Sequence, residues 1–555
     1  MTPTDTIRHL YQRIRHEGER PIWISTVPLE MMLDRLFEAD PALPLYGLPF
    51  AVKDNIDVAG MPTTAGCPAY AYTPDRNAPA VDRLIAAGAI LVGKTNLDQF
   101  ATGLVGVRSP YGACSSVYDS RYISGGSSSG SAVAVAKGLA AFSLGTDTAG
   151  SGRVPAAFNN LIGLKPTRGG FSMEGIVPAC RSLDCVSVFA GNCDLARRVW
   201  NVLWSRPRTP GENAAPWLAG RFRFGVPAAD QLRFFGDDAA AELYSRAITR
   251  AESLGGERVE IDFSPFRAAA DLLYSGPWVA ERLAAIQPFL EKHAERVHPV
   301  VRQIIAGGAK YTAVDAYRAA YRLDDLILQA EREWSRMDVL LLPTAGTIYT
   351  IAEVEADPIV LNTNLGYYTN FVNLMNLAAV AAPAGFRPNG LPFGVSFIGR
   401  AFSDEALLNL AGRFLGEVVP SGLPGCVQVA VVGAHLTGQP LNHELISRGA
   451  HLIRATRTDR AYRLYALRDT RPPKPGLVYD ESFSGPGLEV EIWAMPEHQF
   501  GGFVASIPPP LGIGTVRLEN KEWVQCFICE PYAVHGSNEI TNFGGWRAYR
   551  ASLGY

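Results

Sequence analysis

The sequence lacks histidine over a long central stretch. None of its nine histidines lies between His16 and His293. A serine nucleophile in that interval would therefore have no nearby imidazole in the sequence to take its proton. This absence argues against the familiar Ser-His-Asp arrangement for any reactive serine found there.

Long apolar runs and an excess of one charge are absent as well. The longest apolar runs, such as 377–382, are too short to cross a bilayer. The net charge of the 555-residue chain is only −3, without a block of like charge, which disfavours nucleic acid as a partner. Residues 1–20 are charged and lack the apolar stretch of a secretory signal. We expect a cytoplasmic protein with no membrane association.

The eight cysteines are scattered and do not form a disulfide framework. Cys526 and Cys529 form a CxxC motif with no second pair and no nearby pair of histidines. The motif therefore predicts two half-buried thiols on a strand rather than a metal or redox site. No metal and no organic cofactor is expected.

The length predicts at least two domains. Strand and helix patterns alternate over 45–200, which is typical of an α/β domain, and 230–335 is mostly helical. Near the amino terminus, Thr4 and Asp5 precede apolar residues at helical spacing and could cap a helix. Beyond a Pro/Gly linker at 419–425 the sequence pattern predicts short strands. The specific expectations are strands at 48–53, 90–93, 339–343, 394–399, 427–432, 460–466 and 488–494, and helices at 80–88, 316–332 and 403–414.

Three motifs carry candidate chemistry. Lys53 lies in AVKDN (51–55), Ser127 in SGGSSSGS (124–131) and Ser151 in GTDTAGS (145–151). The Gly/Ser run could be a flexible linker, but it leads directly into a helical pattern. A phosphate-binding loop at 145–151 is discarded because the lysine after the second glycine is missing. If Ser151 attacks a carbonyl, its proton passes through a second hydroxyl to a neutral lysine, which acts as the base. This arrangement indicates acyl transfer.

These motifs, with GLPFAVKDNID (47–57), GKTNL (93–97) and GLKPT (163–167), resemble the amidase signature family over about the first 415 residues. The resemblance implies a Ser–cis-Ser–Lys triad, with Ser151 as nucleophile, Ser127 as the bridging serine after a cis peptide bond, and Lys53 as the base. It also implies an α/β fold in which helices cover both faces of a mixed sheet. A surface lysine is the alternative for Lys53.

Further expectations follow for the surroundings of the triad. Lys53 must be neutral to accept a proton, so its pKa should lie well below the usual value of about 10.4. The backbone N–H groups of Thr148, Ala149 and Gly150, with Ser151 itself, are the candidate oxyanion hole. Many relatives have glycine where this chain has Ala149. We expect supporting roles for four other side chains: a hydrogen-bond donor in Ser128, nearby charges in Lys94 and Arg153, and a loop-ordering carboxylate in Asp147.

The segment LLYSGPWVAER (272–282) is similar to one in the allophanate hydrolases of this family. The resemblance makes Tyr274 and Arg282 the side chains that hold the substrate's carboxylate, a task suited to a guanidinium. A core tyrosine and a helix-surface arginine are the alternative. The tail resembles the carboxy-terminal domain of the same group, similar in fold to γ-glutamyl cyclotransferases. His435 in VGAHLTGQPLN (432–442) then takes part in decarboxylation, or is a hydrogen-bonded structural histidine.

The resemblance thus implies an amidase domain over 1–420 and a small α+β or β-barrel-like domain over 427–555. Together they would hydrolyse allophanate to ammonia and carbon dioxide, as a homodimer. No biotin-attachment AMKM segment occurs, so a separate biotin-dependent urea carboxylase is expected to supply the substrate. The alternatives are another amidase, such as the glutamine-hydrolysing subunit of a tRNA amidotransferase, and a non-catalytic binding scaffold.

Overall fold

The structure is a computed structural model that describes residues 2–17, 21–206, 222–417 and 426–554. The described residues divide into two compact units, with the second beginning at 426. The predicted linker at 419–425 lies outside the described residues. Within the described ranges, no helix has the length and apolar character needed to cross a membrane.

The first unit is built on one mixed sheet of 11 strands in the order β1-β3-β2-β4-β6-β5-β10-β11-β9-β7-β8. Its strands are β1 (Trp23–Thr26), β2 (Pro49–Lys53), β3 (Ile90–Thr95), β4 (Phe142–Asp147), β5 (Ile162–Lys165), β6 (Cys185–Ala190), β7 (Phe222–Pro227), β8 (Gly256–Ile261), β9 (Val339–Pro343), β10 (Ala378–Phe386) and β11 (Pro392–Gly399). Every residue of β2, β4, β6, β9 and β11 is buried, so both faces of the central sheet are covered.

Helices cover this sheet, some in direct contact with its strands and others packed on neighbouring helices. They are α1 (Pro3–His16), α2 (Leu29–Glu38), α3 (Pro79–Ala86), α4 (Ser129–Ala136), α5 (Val154–Phe158), α6 (Cys193–Leu203), α7 (Asp238–Ser253), α8 (Ser264–Ser275), α9 (Trp278–His293), α10 (Pro299–Ala306), α11 (Ala313–Trp334), α12 (Ile351–Ala356), α13 (Val360–Leu365), α14 (Asn370–Leu374) and α15 (Asp404–Leu415). The predicted α/β class, a mixed sheet covered by helices, is confirmed.

The amino-terminal helix begins two residues earlier than predicted. Its cap is Thr2 rather than Thr4, because Thr2 and Asp5 form a reciprocal capping box. Ile7, Leu10 and Ile14 are buried as their spacing predicted. The cap prediction was therefore wrong by two residues, while the amphipathic helix itself is confirmed.

Over its described residues, the second unit has a five-stranded sheet in the order β13-β16-β12-β18-β17, a three-stranded sheet in the order β15-β14-β19, and three short α-helices. Its elements are β12 (Cys426–Val431), α16 (Asn442–Ile446), β13 (His451–Arg457), β14 (Tyr462–Ala466), β15 (Pro475–Tyr479), β16 (Glu489–Pro496), α17 (Glu497–Ala505), β17 (Leu511–Arg517), β18 (Trp523–Cys529), β19 (Asn538–Glu539) and α18 (Trp546–Ser552). Cys526 and Cys529 are free thiols on β18, as predicted, but both are buried rather than half-buried. Burial raises the pKa of the Cys526 thiol to about 12.

Candidate active site

Lys53 and Ser127 are in contact where three parallel strands end, and Ser151 lies in the turn that follows one of these strands. Strand β2 runs parallel to both β3 and β4, so the carboxyl ends of all three lie at one edge of the sheet. Lys53 is the last residue of β2, and Asp147 is the last of β4. Ligands in open α/β sheets bind at such an edge.

Lys53 is fully buried and contacts two hydroxyl groups. Its Nζ lies 2.7 Å from Ser127 Oγ and 2.8 Å from Thr146 Oγ1, and it donates to both. Burial lowers the pKa of Lys53 to about 7, although Asp98, Asp184 and Asp147 oppose the shift. The predicted lowering is confirmed, and the alternative of a surface lysine is wrong. In its neutral form the amine has a lone pair that can accept the Ser127 proton.

Ser127 is buried and follows a cis peptide bond from Gly126, as predicted. Gly126 has no room for a side chain, because a Cβ there would lie 2.1 Å from Asp98 Oδ2. The Asp98 N–H donates to the carbonyl oxygen of Ser127 at 3.0 Å. Ser128 points elsewhere and donates its hydroxyl hydrogen to the Thr146 carbonyl at 3.1 Å. The sequence motif thus supplies one serine to Lys53 and the next to the backbone of β4.

Ser151 lies in the turn between β4 and α5 and is only 3% exposed. Asp147 fixes this turn, since its carboxylate accepts hydrogen bonds from the N–H groups of Gly150 and Gly152, both at 2.9 Å. Arg153 donates to the same carboxylate through Nε and Nη2, each at 3.0 Å. Burial alone would raise the pKa of Asp147, but Arg153 holds it below its usual value. The loop-ordering role predicted for Asp147 is confirmed.

The backbone around Ser151 offers several donors. The Gly150 N–H is already bonded to Asp147. Among the described residues, no hydrogen-bond acceptor is recorded for the N–H groups of Thr148, Ala149 and Ser151. The Ala149 methyl packs in an apolar cluster with Cys180, which accommodates a side chain larger than glycine at this position. Gly150 cannot vary in this way, because its φ is +131° and a Cβ would lie 2.5 Å from Thr369 Oγ1.

Arg282 is buried on α9 and packs beside Tyr274 of α8. Its Cζ lies 5.5 Å from the centre of the Tyr274 ring. Arg282 Nη1 donates to Thr102 Oγ1 at 3.2 Å, and Nε has no partner among the described residues. The Arg282 charge also acts to lower the pKa of Lys53, so the two groups share one electrostatic environment. The alternative of a helix-surface arginine is wrong.

Sequence reasoning missed two residues of this site. Thr146 is the second hydroxyl on Lys53. Asp184, buried just before β6, accepts the Thr148 hydroxyl hydrogen at 2.5 Å and the N–H groups of Ala179 and Cys180. Burial raises the pKa of Asp184 to about 6. Thr146 lies inside a quoted motif, but nothing local to the sequence connects Asp184 with position 148.

His435 lies in the second unit, beside a cavity of about 60 Å³. Its ring stacks on Phe527 with centroids 4.9 Å apart, and Nε2 lies 3.2 Å from Glu444 Oε2. Burial lowers the pKa of His435, although Glu444 opposes the shift. Lys474 and Ser506 also line the cavity. Both interpretations of this histidine remain open, because it is hydrogen-bonded and faces a cavity.

Comparison with known proteins identifies both units. The family model described as Amidase matches residues 26–408, and the one described as Allophanate hydrolase C-terminal domain matches residues 427–551. Urea amidolyase of Saccharomyces cerevisiae is 44% identical over 567 residues, which cover 95% of this chain and 31% of that protein. The chain therefore spans about a third of the length of the urea amidolyases it matches.

Solved structures and shorter relatives agree with these two family matches. The selenomethionine form of Kluyveromyces lactis allophanate hydrolase matches with a TM-score of 0.78 at 41% identity, covering 100% of this chain and 97% of that one. A glutamyl-tRNA(Gln) amidotransferase subunit from Symbiobacterium thermophilum is 35% identical over 409 residues, which cover 67% of this chain and 83% of that protein. The likeness to the amidotransferase protein covers a smaller share of the chain than the likeness to allophanate hydrolase.

Proposed function

The chain belongs to the amidase family of amidohydrolases, and from that membership we propose that it hydrolyses allophanate to ammonia and carbon dioxide. The observation that carries the proposal is a lysine with a lowered pKa in contact with a serine, in the same buried site as an arginine without a carboxylate partner. Lys53 Nζ lies 2.7 Å from Ser127 Oγ. Within the described residues Arg282 forms no salt bridge, and its Nε has no partner. The first feature supports acyl transfer, and the second supports an anionic substrate.

The reaction begins with the substrate carboxylate bound to Arg282 and Tyr274. Ser151 Oγ attacks the terminal amide carbonyl while its proton passes through the Ser127 hydroxyl to Lys53. Free N–H groups at Thr148, Ala149 and Ser151, in the backbone turn that includes Gly150, stabilise the oxyanion. The same route returns the proton to the leaving ammonia. Water then cleaves the acyl-enzyme and releases N-carboxycarbamate and free Ser151.

The second unit acts on this product. N-carboxycarbamate takes up two protons as it breaks down to two molecules of carbon dioxide and one of ammonia. The His435 imidazole, beside Glu444 and the cavity that Lys474 lines, is placed to donate the proton that replaces the first carbon dioxide. We assign the amidase domain to 1–420 and the decarboxylating domain to 427–555, in a cytoplasmic enzyme.

The function is tested by measuring ammonia and carbon dioxide released by the purified chain. We expect rapid turnover of the anions allophanate and malonamate, and slow turnover of biuret, simple amides and glutamine. In His435→Ala the first ammonia should appear at the wild-type rate while carbon dioxide release is delayed. A preference for glutamine would instead support an amidotransferase component, and undelayed carbon dioxide would make His435 structural.

We also propose a link to a biotin-dependent urea carboxylase that supplies allophanate. Carboxylation of urea is the reaction class that yields this substrate. The matched relatives are named urea amidolyases, and this chain spans about a third of their length. Their name supports a connection between this chain and the breakdown of urea.

A homodimer is the proposed assembly, and helix α11 carries a surface that fits it. Four apolar residues at helical spacing, Val314, Tyr317, Tyr321 and Leu328, are 56–68% exposed. Arg318 and Asp325 are exposed on one edge of this stripe and form no salt bridge within the described residues. If two copies of α11 pack antiparallel about a two-fold axis, Arg318 of each faces Asp325 of the second copy.

Charge reversal tests this dimer. Arg318→Asp and Asp325→Arg should each convert the dimer to monomer, because each places like charges together at two symmetric contacts. The double variant should restore the dimer, as measured by size-exclusion chromatography with light scattering. Arg322→Asp, exposed on the same helix outside the stripe, is the matched control. A monomeric wild type, or single variants that stay dimeric, would contradict the proposal.

A further inference from the structure

A second cavity lies in the first unit, on the Tyr274 side of the candidate site. It has a volume of about 200 Å³. No aspartate or glutamate is among the described residues that line it. Its lining side chains with polar groups are Arg108, Tyr274, Lys310, Tyr311, Asn362 and Thr363. The hydroxyls of Tyr311 and Thr363 already donate to backbone carbonyls, so the positive charges of Arg108 and Lys310 set its character. A concave surface with this chemistry favours anions.

Arg108 supplies the buried charge of this cavity. It is only 1% exposed, and its Nη1 donates to the Thr102 carbonyl at 3.1 Å while Nη2 donates to the Pro358 carbonyl at 2.5 Å. Its Nε is buried without a partner in the described part of the chain. An arginine stays protonated in proteins, so a positive charge remains here with only neutral acceptors bound to it.

Burial lowers the pKa of Arg108, and the charge of Asp98 opposes that shift without a direct contact to the guanidinium. Both oxygens of Asp98 accept backbone N–H groups, from Val105, Gly106 and Arg108 itself, at 2.9–3.2 Å. No salt bridge joins Asp98 to the Arg108 guanidinium within the described residues. The guanidinium therefore keeps an unpaired Nε–H while the carboxylate is occupied elsewhere.

The cavity adjoins the predicted carboxylate site through shared residues. Tyr274 lines the cavity, and its ring packs against Arg282. Thr102 joins the two arginines, since Arg108 binds its carbonyl oxygen and Arg282 binds its hydroxyl. Lys310 is exposed at the other side of the cavity. Positive charge thus extends from the surface at Lys310 through Arg108 to Arg282.

We propose that this cavity is an anion-selecting entry chamber, in which Lys310 and Arg108 bind the carboxylate of the incoming substrate before Arg282 does. The inference rests on the proposed function for the identity of the substrate. It adds that two cations outside the triad set the preference for anions. Selection at entry changes kcat/KM for charged substrates, because a cavity of one charge sign concentrates the opposite ion, and salt weakens the effect.

The experiment compares Lys310→Glu with Lys292→Glu, an exposed lysine on α9 that does not line the cavity. Lys310→Glu should lower kcat/KM for allophanate about tenfold at low salt, leave kcat nearly unchanged and abolish the salt dependence seen in wild type. Turnover of neutral biuret should not change. Lys292→Glu should match wild type. Equal effects of the two variants, or equal loss on biuret, would overturn the proposal.

Binding separates this inference from the proposed function. Malonamate is titrated calorimetrically into Ser151→Ala protein, alone and combined with Lys310→Glu, Arg108→Gln or Arg108→Lys. We expect weaker binding with Lys310→Glu and Arg108→Gln and partial recovery with Arg108→Lys, with thermal midpoints confirming that each variant folds. If wild type ignores allophanate yet these variants weaken malonamate binding, the proposed function fails and the anion chamber stands. Unchanged binding in folded Lys310→Glu and Arg108→Gln variants overturns the chamber.

Discussion

Lys53→Met is expected to lower ammonia release from allophanate by about 10⁴-fold or more, because the proton of Ser151 then has no acceptor. In the wild type, only the neutral amine can act as base, and the pKa of Lys53 is about 7. Therefore kcat/KM should rise about tenfold per pH unit below 7 and level off above it. Fixed-time ammonia assays from pH 5.5 to 9 check both the loss of activity in Lys53→Met and the pH dependence of kcat/KM in the wild type.

The matched control for the triad is a pair of adjacent serines. Ser127→Ala should cost nearly as much as Lys53→Met, since it breaks the proton route. Ser128→Ala removes only a hydrogen bond to the Thr146 carbonyl and should retain most activity. A wild-type rate that falls as pH rises through 7, or a Ser127→Ala variant as active as Ser128→Ala, would show that the base is another group.

Arg282→Ala should lower kcat/KM for allophanate and malonamate by about 10³-fold, the scale expected when a buried charged contact to the substrate is lost. Biuret has no carboxylate, so its turnover should change little. Arg282→Lys should recover part of the loss, because a lysine supplies the charge without the paired donors of a guanidinium. The measurement is kcat/KM for each substrate with each variant.

Two observations would contradict this role of Arg282. Equal losses on charged and neutral amides would mean that the residue maintains the fold of the site rather than recognising a carboxylate. Full activity of the alanine variant on allophanate would place the carboxylate elsewhere. Thermal midpoints of the variants distinguish unfolding from either result.

The proposed triad was inferred from a family resemblance that rests on short motifs with local conformational requirements. Gly126, Ser127 and the turn before Ser151 are recognisable without knowledge of distant contacts. Asp184 could not be found in this way, since it reaches Thr148 only because β6 pairs with β4 across the sheet. Its neighbours in the sequence carry no signal of that pairing.

The strands also differ in whether the local sequence is enough to predict them. Buried strands such as β9 were predicted with correct bounds, because a continuous apolar run needs no knowledge of its partners. Strand β8 was missed inside a stretch predicted to be mostly helical. It lies at the edge of the sheet, and its sequence GERVEI places charged residues on an exposed surface. Such an edge strand has no apolar run to mark it.

The residues proposed for hydrolysis and those proposed for substrate recognition come from different stretches of the chain. Lys53, Ser127 and Ser151 belong to strand ends and turns before β5, whereas Tyr274, Arg282 and Lys310 belong to the helical segment between β8 and β9. That segment contributes no strand to the sheet. A substitution in this helical segment can therefore change substrate preference without altering any residue proposed for hydrolysis.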